Sequence, residues 1–450
     1  MNGSSRDVWF VMDQCLYVKG SRLVARTVNA MRLDSEIRVR TRCFHLASFS
    51  AAINIAIAVM LVGCGGGGGG GTNQYISLYT ALASDDLDLD GSEDIAEARM
   101  RFEVQGTGTG FKPKNTHYVT SIALQDSLNP GSFIKSDVRY ANGDIDKLGG
   151  YPSSIAVGDL NNDAFPDLAL AVSTNVNILM QNINDPGNFL PHVDVQAESG
   201  PIDVAIVDLN ADGMNDIAVA TEPLTLLFND PAAPGSQFLS GTLPINASSV
   251  AVGDLDSDGR NDIAATGRDA GDDKVYILLQ NHAPAAPGEF SLDATYTVGY
   301  KPVAIIIVDL NGDTLLDLAV VNEGETVGSV SILLQDDSAP GTFLSETQYT
   351  TDRESCAIDV GDLNGDTLPD LVIANSGANN VSLLFQDALH PGDFTPASTL
   401  KTTEHNIADI VIGEFTGDAL VDIAVAAEAY VFLHAQDENN PGTFHSGVKL

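Results

Sequence analysis

The sequence predicts an all-β protein, a seven-bladed β-propeller of four-stranded antiparallel blades. Three observations lead there. A nine-residue acidic phrase, clearest as Asp362-Leu-Asn-Gly-Asp-Thr-Leu-Pro-Asp370, returns seven times, starting at Asp86, Asp159, Asp208, Asp254, Asp309, Asp362 and Glu414. A Pro-Gly turn followed by Phe also returns seven times, led by Pro130, Pro186, Pro234, Pro287, Pro340, Pro391 and Pro441. Between these punctuations lie short runs rich in Val, Ile and Leu, with no sustained helical period.

Residues 1–63 read as an N-terminal extension and a secretory leader. Leu46 to Leu61 is apolar apart from Ser48, Ser50 and Asn54, and Arg32, Arg38, Arg40 and Arg42 precede it. A basic flank, a short apolar stretch and small residues at its end are the parts of a signal peptide. The run falls short of the roughly 20 residues that span a bilayer. Met31 is a better start for such a leader than Met1. The closing Leu61-Val62-Gly63-Cys64 resembles the lipobox of bacterial lipoproteins, which implies acylation of Cys64 and a lipid anchor in a membrane. Gly65 rather than Asp then follows the lipidated residue, which by the same resemblance favours the outer membrane of the cell envelope. Residues 64–74 carry the seven glycines Gly65 to Gly71, a flexible tether.

Of the four cysteines, Cys15 and Cys43 leave with the leader and Cys64 carries lipid. Cys356 remains, so there is no disulfide framework, and its small or apolar counterparts in other repeats mark it as a buried structural thiol.

Residues 75–450 form the repeat region. Each unit opens with an apolar run such as Ser154-Ile-Ala-Val-Gly158, followed by the acidic loop and a second run such as Leu168-Ala-Leu-Ala-Val172. A third run ends in an amide or acid, as in Val330-Ser-Ile-Leu-Leu-Gln335; the Pro-Gly turn and a more polar fourth run complete the unit. Runs apolar on both faces suit inner strands and the polar run an outer edge. Four strands in about 50 residues make one sheet that needs neighbours to bury its faces, and radial packing of such sheets gives a propeller. A β-solenoid is the alternative, though its repeats are usually shorter. Loop starts are spaced 73, 49, 46, 55, 53 and 52 residues apart. The long first interval places insertions at Gly106–Lys114 and Asn142–Gly150, either a binding surface or neutral loops.

The chain carries a net charge of −39, and 24 of its 61 acidic residues fall within the seven nine-residue windows. Such clustering points to cation sites. The acidity disfavours nucleic acid, whose phosphates call for basic patches. Oxygen-bearing residues at loop positions 1, 3, 5 and 9 suit a hard cation such as Ca2+, which takes six to eight oxygens. An EF-hand is excluded, because no helices flank the loop and no Glu stands at position 12.

The loops and the Ile-Ala-Val and Asp-Leu-Ala-Val runs beside them resemble FG-GAP and VCBS-type repeats over about residues 75–450. These repeats build the propeller of the integrin alpha-subunit head and occur in many bacterial surface proteins. Carried over by position, the resemblance implies graded calcium sites. Asp254, Asp256, Asp258 and Asp262 offer four carboxylates, as do Asp86, Asp88, Asp90 and Asp94, and these two loops should hold metal best. Asp208, Asn210, Asp212 and Asp216 replace one acid by an amide. So do Asp159, Asn161, Asp163 and Asp167; Asp309, Asn311, Asp313 and Asp317; and Asp362, Asn364, Asp366 and Asp370. In these last three loops Ala164, Thr314 and Thr367 replace the usual glycine and have to accept a left-handed backbone. The loop with Glu414, Thr416, Asp418 and Asp422 is the poorest. The competing reading is that these side chains only make turn bonds to the backbone. The clustered acids favour structural calcium, with loop and turn as the hairpin clasps of each blade.

No G-x-S-x-G, H-E-x-x-H, Walker or C-x-x-C pattern is present, and the histidines are scattered, His282, His390 and His434 lying near third strands or their turns. The expectation is a non-catalytic, membrane-tethered module for binding or adhesion to protein or glycan. A propeller lyase or hydrolase acting on polysaccharide, or a structural subunit of an envelope assembly, are the alternatives.

Overall fold

The computed structural model describes residues 14–19, 22–27, 74–105, 112–127, 131–138, 148, 150–198, 200–281, 288–396, 398–402, 405–427 and 430–450. The apolar stretch, Cys64 and the poly-glycine tether lie outside these residues, as does His282. The chain divides into two units, Met1–Arg40 and Thr41–Leu450. In the first, strands Gln14–Lys19 and Arg22–Thr27 pair antiparallel. The second holds seven four-stranded antiparallel sheets, each made of four consecutive strands. Among the described residues no helix is long and apolar enough to cross a membrane.

Blade two is representative: Pro152–Gly158, Asp167–Val172, Asn175–Leu179 and Val193–Gln196, in that spatial order. The first strands of successive blades lie against one another in a ring, and the last of them, Ile407–Gly413, closes it on Gln74–Asp85 of blade one. Each blade is therefore self-contained, and among the described residues no strand crosses the seam between blades seven and one.

Burial follows from this placement. In blades two to seven the second strands are buried throughout, as in Asp370–Asn375 and Asp422–Ala427, because both faces meet neighbouring blades. Third strands are largely buried, most of them apart from their first residue, with Phe228, Tyr276, Leu279 and Phe432 half-buried, and the polar fourth strands are largely exposed. The expectation for inner strands needs one refinement: the first strands line the axis, where many of their side chains stay half-buried. The core is divided into seven clusters, one at each blade interface. One joins Leu160, Ala169 and Ile178 of blade two to Ile217, Val219 and Leu227 of blade three; another closes the seam with Leu82 and Ile95 against Phe415, Ala424 and Leu433. Burial of a Leu or Ile stabilises by about 1.5–3 kcal/mol per side chain, so most of the packing stability sits between blades rather than within them.

Blade one departs from the repeat. Its first three strands, Gln74–Asp85, Asp94–Gln105 and Lys112–Gln125, run to 12, 12 and 14 residues. The insertion expected as a loop at Gly106–Lys114 is instead largely strand in its described part, with Gln105 opposite Lys112 in a lengthened hairpin. Most of Asn142–Gly150 lies outside the described residues. Cys356 is half-buried rather than buried, its Sγ 3.6 Å from the Ala374 carbonyl and 3.8 Å from that of Ile407 in blade seven.

Candidate metal loops

Every acidic loop connects the first and second strands of its blade. In the loop at Asp254, the position-1 carboxylate accepts the N–H groups of Asp258 (2.9 Å) and Gly259 (2.8 Å). Asp256 accepts the Asp258 N–H at 3.1 Å, and Asp258 the Arg260 N–H at 2.8 Å. The remaining position, Asp262, opens the second strand and is buried. Its Oδ2 accepts the Leu255 N–H (2.9 Å) and its Oδ1 the N–H of Gln280 at the end of the third strand (2.7 Å).

That last arrangement recurs in all seven blades. Asp94, Asp167, Asp216, Asp317, Asp370 and Asp422 each accept the N–H of loop position 2 and the N–H of the terminal amide residue, Gln125, Gln181, Asn229, Gln335, Gln386 or Gln436. Position 9 thus buckles the loop to the third strand whether or not a cation is present. Burial pushes Asp94, Asp167, Asp216 and Asp370 from 3.8 up to about 7, and Asp262, Asp317 and Asp422 up to about 6; the donated N–H groups pull the other way. An uncompensated charge at these positions is costly.

The turn bonds and a metal site are compatible, since a carboxylate has about four lone-pair directions and Asp262 uses two of them. Among the described residues, two groups of three carboxylates come within 4.8 Å of one another: Asp86, Asp88 and Asp94, and Asp254, Asp256 and Asp262. They fall in the two loops with four acids. All-oxygen, all-anionic donors at this spacing fit a hard divalent cation. Position 5, expected as a fourth ligand, is not in either group; Asp90 and Asp258 instead accept the N–H of position 7. Asn161, Asn210, Asn311 and Asn364 accept the position-5 N–H at 2.9 Å, as Asp88 and Asp256 do at 3.1 Å, so the amides occupy the same place in the turn. In the last loop Glu414 stands in place of the position-1 aspartate and accepts the N–H groups of Thr416 (3.2 Å) and Asp418 (3.1 Å).

The loop backbone is left-handed twice, at positions 4 and 6. Position 6 is Gly91, Gly213 or Gly259 in three loops, and Ala164, Thr314, Thr367 and Ala419 take φ of 65–74° in the others. Position 4 is left-handed at Leu89, Asn162, Ala211 and Ser257 and at Gly312, Gly365 and Gly417. Six loops therefore have one glycine for two left-handed positions, and the loop at Asp159 has none. Left-handed φ costs a non-glycine residue about 1–2 kcal/mol, offset in part by the entropy glycine adds to the unfolded chain. Ala164→Gly is expected to stabilise the protein by roughly 0.5–1 kcal/mol in urea denaturation. An unchanged or lower stability would contradict the strain argument.

The Pro-Gly turns pair with the loops in a way the sequence does not disclose. Each turn packs on the loop of the preceding blade. A Cβ added to Gly341 would stand 3.1 Å from the Cβ of Asp256, and the same holds for Gly187 over Asp88 (3.1 Å), Gly288 over Asn210 (3.2 Å) and Gly392 over Asn311 (3.2 Å). The turn favours glycine on two counts: its backbone is left-handed, with φ of 65–87°, and the preceding blade's position 3 together with side chains such as Leu124 and Leu334, both 2.7 Å from the added Cβ, fills the space a side chain would take.

Three further acids escaped sequence reasoning because they interrupt apolar first strands singly. Asp203 accepts the hydroxyls of Ser154 (2.7 Å) and Ser249 (2.6 Å) from the blades on either side. Asp359 accepts the Ile412 N–H and Asp409 the Leu82 N–H, both at 2.8 Å, the latter across the seam. They latch blades together near the axis. His390 is exposed beside Asp387, and His434 is buried with Nδ1 3.1 Å from the His445 carbonyl.

The FG-GAP-like repeat family matches residues 159–219, 254–320 and 309–373, which fall in blades two to six. No curated protein matches the chain. Among solved structures, the WD40 domain from Toxoplasma gondii coronin matches over 83% of this chain and 91% of that one, at 13% identity and a TM-score of 0.47. Blades one and seven carry the loop, the buried position-9 aspartate and the terminal amide as well, and the chain is a seven-bladed β-propeller with FG-GAP-like repeats in blades two to six.

Proposed function

We propose that the protein is a calcium-stabilised, non-catalytic binding or adhesion module for a protein or glycan, held to a membrane through lipid on Cys64. The observation that carries the calcium part is the convergence of Asp254, Asp256 and Asp262, and of Asp86, Asp88 and Asp94, on backbones already folded around them. The metal is structural in this reading, because the loops clasp strands together and neighbouring turns cover them. The non-catalytic reading draws support from the axis: both oxygens of Asp359 and of Asp409 already accept backbone N–H groups, which suits latches better than acid–base catalysts. Recognition then falls to the exposed loop faces and outer strands.

An array of glycans and matrix proteins probed with the purified chain, with Ca2+ and with chelator, tests this. Calcium-dependent capture of one ligand class is the expected result. Turnover of any polysaccharide would replace the binding reading by an enzymatic one, and no ligand on any surface would favour a structural subunit. Mass spectrometry of the N-terminal fragment from membranes should find acyl chains on Cys64; an unmodified cysteine removes the tether.

A further inference from the structure

We propose that the acidic loops at Asp208 and Asp254 take up metal cooperatively, with Gln280 and Asn261 as positioning residues that carry the coupling. This rests on the calcium reading above. Gln280 holds two loops at once. Its backbone N–H is donated to Asp262, position 9 of its own blade's loop, at 2.7 Å. Its side-chain Nε2 is donated to the carbonyl of Leu209 in the preceding loop. Leu209 in turn gives its N–H to Asp216, position 9 of that loop, at 2.9 Å. A second bond runs in parallel, from Asn261 Nδ2 to the Asp208 carbonyl at 2.9 Å.

All of these side chains except Asn261 are buried, so the chain of bonds does not compete with water. A cation at the Asp254 loop fixes Asp262, and with it the strand end from which Gln280 reaches across. The neighbouring loop is then partly ordered before its own cation arrives and loses less conformational freedom on binding. The junction between blades four and five provides an internal contrast. There the corresponding amide, Gln335, donates to the Leu316 carbonyl of its own blade (2.8 Å), and position 8 is Leu316, which has no side-chain donor. The loops at Asp254 and Asp309 therefore lack both bridging amides, and the coupling should be directional around the ring.

Hydrogen exchange on the full chain during a Ca2+ titration reads each loop separately. Asp254→Asn, which weakens metal at its own loop, is expected to raise the Ca2+ midpoint for protection of residues 208–216 by roughly fivefold or more, the lower end of usual coupling strengths. The midpoint for residues 309–317 should stay in place. In a Gln280→Met, Asn261→Leu background, Asp254→Asn should no longer move the 208–216 midpoint, while wild-type protection of the strands at saturating Ca2+ shows that the background folds. An unmoved 208–216 midpoint in the wild-type background overturns the coupling. An equal shift at 309–317 also overturns it, since that reports general softening. If residues 254–262 respond to Ca2+ and 208–216 do not, the coupling alone fails; if neither responds, the calcium reading fails and the coupling with it.

Discussion

Asp370→Ala is expected to destabilise the protein by about 3–5 kcal/mol, because two buried N–H groups lose their acceptor at about 1–3 kcal/mol each and some packing goes with them. Those groups belong to Leu363 (3.0 Å) and Gln386 (2.8 Å), and Asp370 is fully buried. The loss should appear in denaturant unfolding of calcium-free protein, since the buckle does not depend on metal. Asp370→Asn retains one acceptor oxygen and should lose about half as much. A loss below about 1 kcal/mol for the alanine variant would mean that water or a shifted backbone replaces the carboxylate, and the buckle would not be a main support of the blade.

The second large effect concerns calcium and pH together. At ten times its dissociation constant a bound ion adds about 1.4 kcal/mol per site, so two to six occupied loops shift stability by an amount comparable with much of a domain's net stability. The shift should depend on pH with a definite sign. The position-9 aspartates are raised from 3.8 to about 6 or about 7 by burial in the metal-free fold. Between those values the folded chain holds protons that the unfolded chain has released. Stability of the calcium-free protein therefore falls as pH rises from about 4 to about 7. Calcium needs the ionised form, so its benefit grows over the same interval. Thermal unfolding of stripped protein with and without added Ca2+ should show a larger difference at pH 8 than at pH 5. An equal or larger difference at pH 5 would contradict the assignment of these acids to the metal loops.

Most of the architecture is legible in the sequence because each blade is a local unit: loop, runs and turn lie within about 50 residues, and the alternation of apolar and polar runs reports burial directly. The site is legible to the extent that it is local. Asp86, Asp88 and Asp94 are brought together by one loop, and the left-handed conformations of Ala164, Thr314 and Thr367 follow from the glycine their counterparts carry. What a periodic sequence hides is which neighbour a repeated element touches. Gly341 belongs to blade five and covers Asp256 of blade four, but every register of turns against loops has the same spacing along the chain. The terminal amides were visible as a recurring residue type without a role, because the carbonyl that Gln280 or Gln386 reaches lies about 70 residues away, in another blade. Asp203 and Asp409 stand five residues before their loops and Asp359 three before its own, a signal too sparse among seven repeats to mark a role. The long hairpin of blade one was legible only as surplus length.

The self-contained blades have a consequence for how such a ring changes over generations. Because each sheet is finished by its own four strands, a gene duplication or deletion that respects one repeat adds or removes a complete part without leaving a strand unpaired. The interfaces would then only have to adjust their angle, and small first-strand residues such as Ala156, Ala205 and Ala251 leave room near the axis for that adjustment. The ring can drift in one blade, as blade one has, while the other six keep their form.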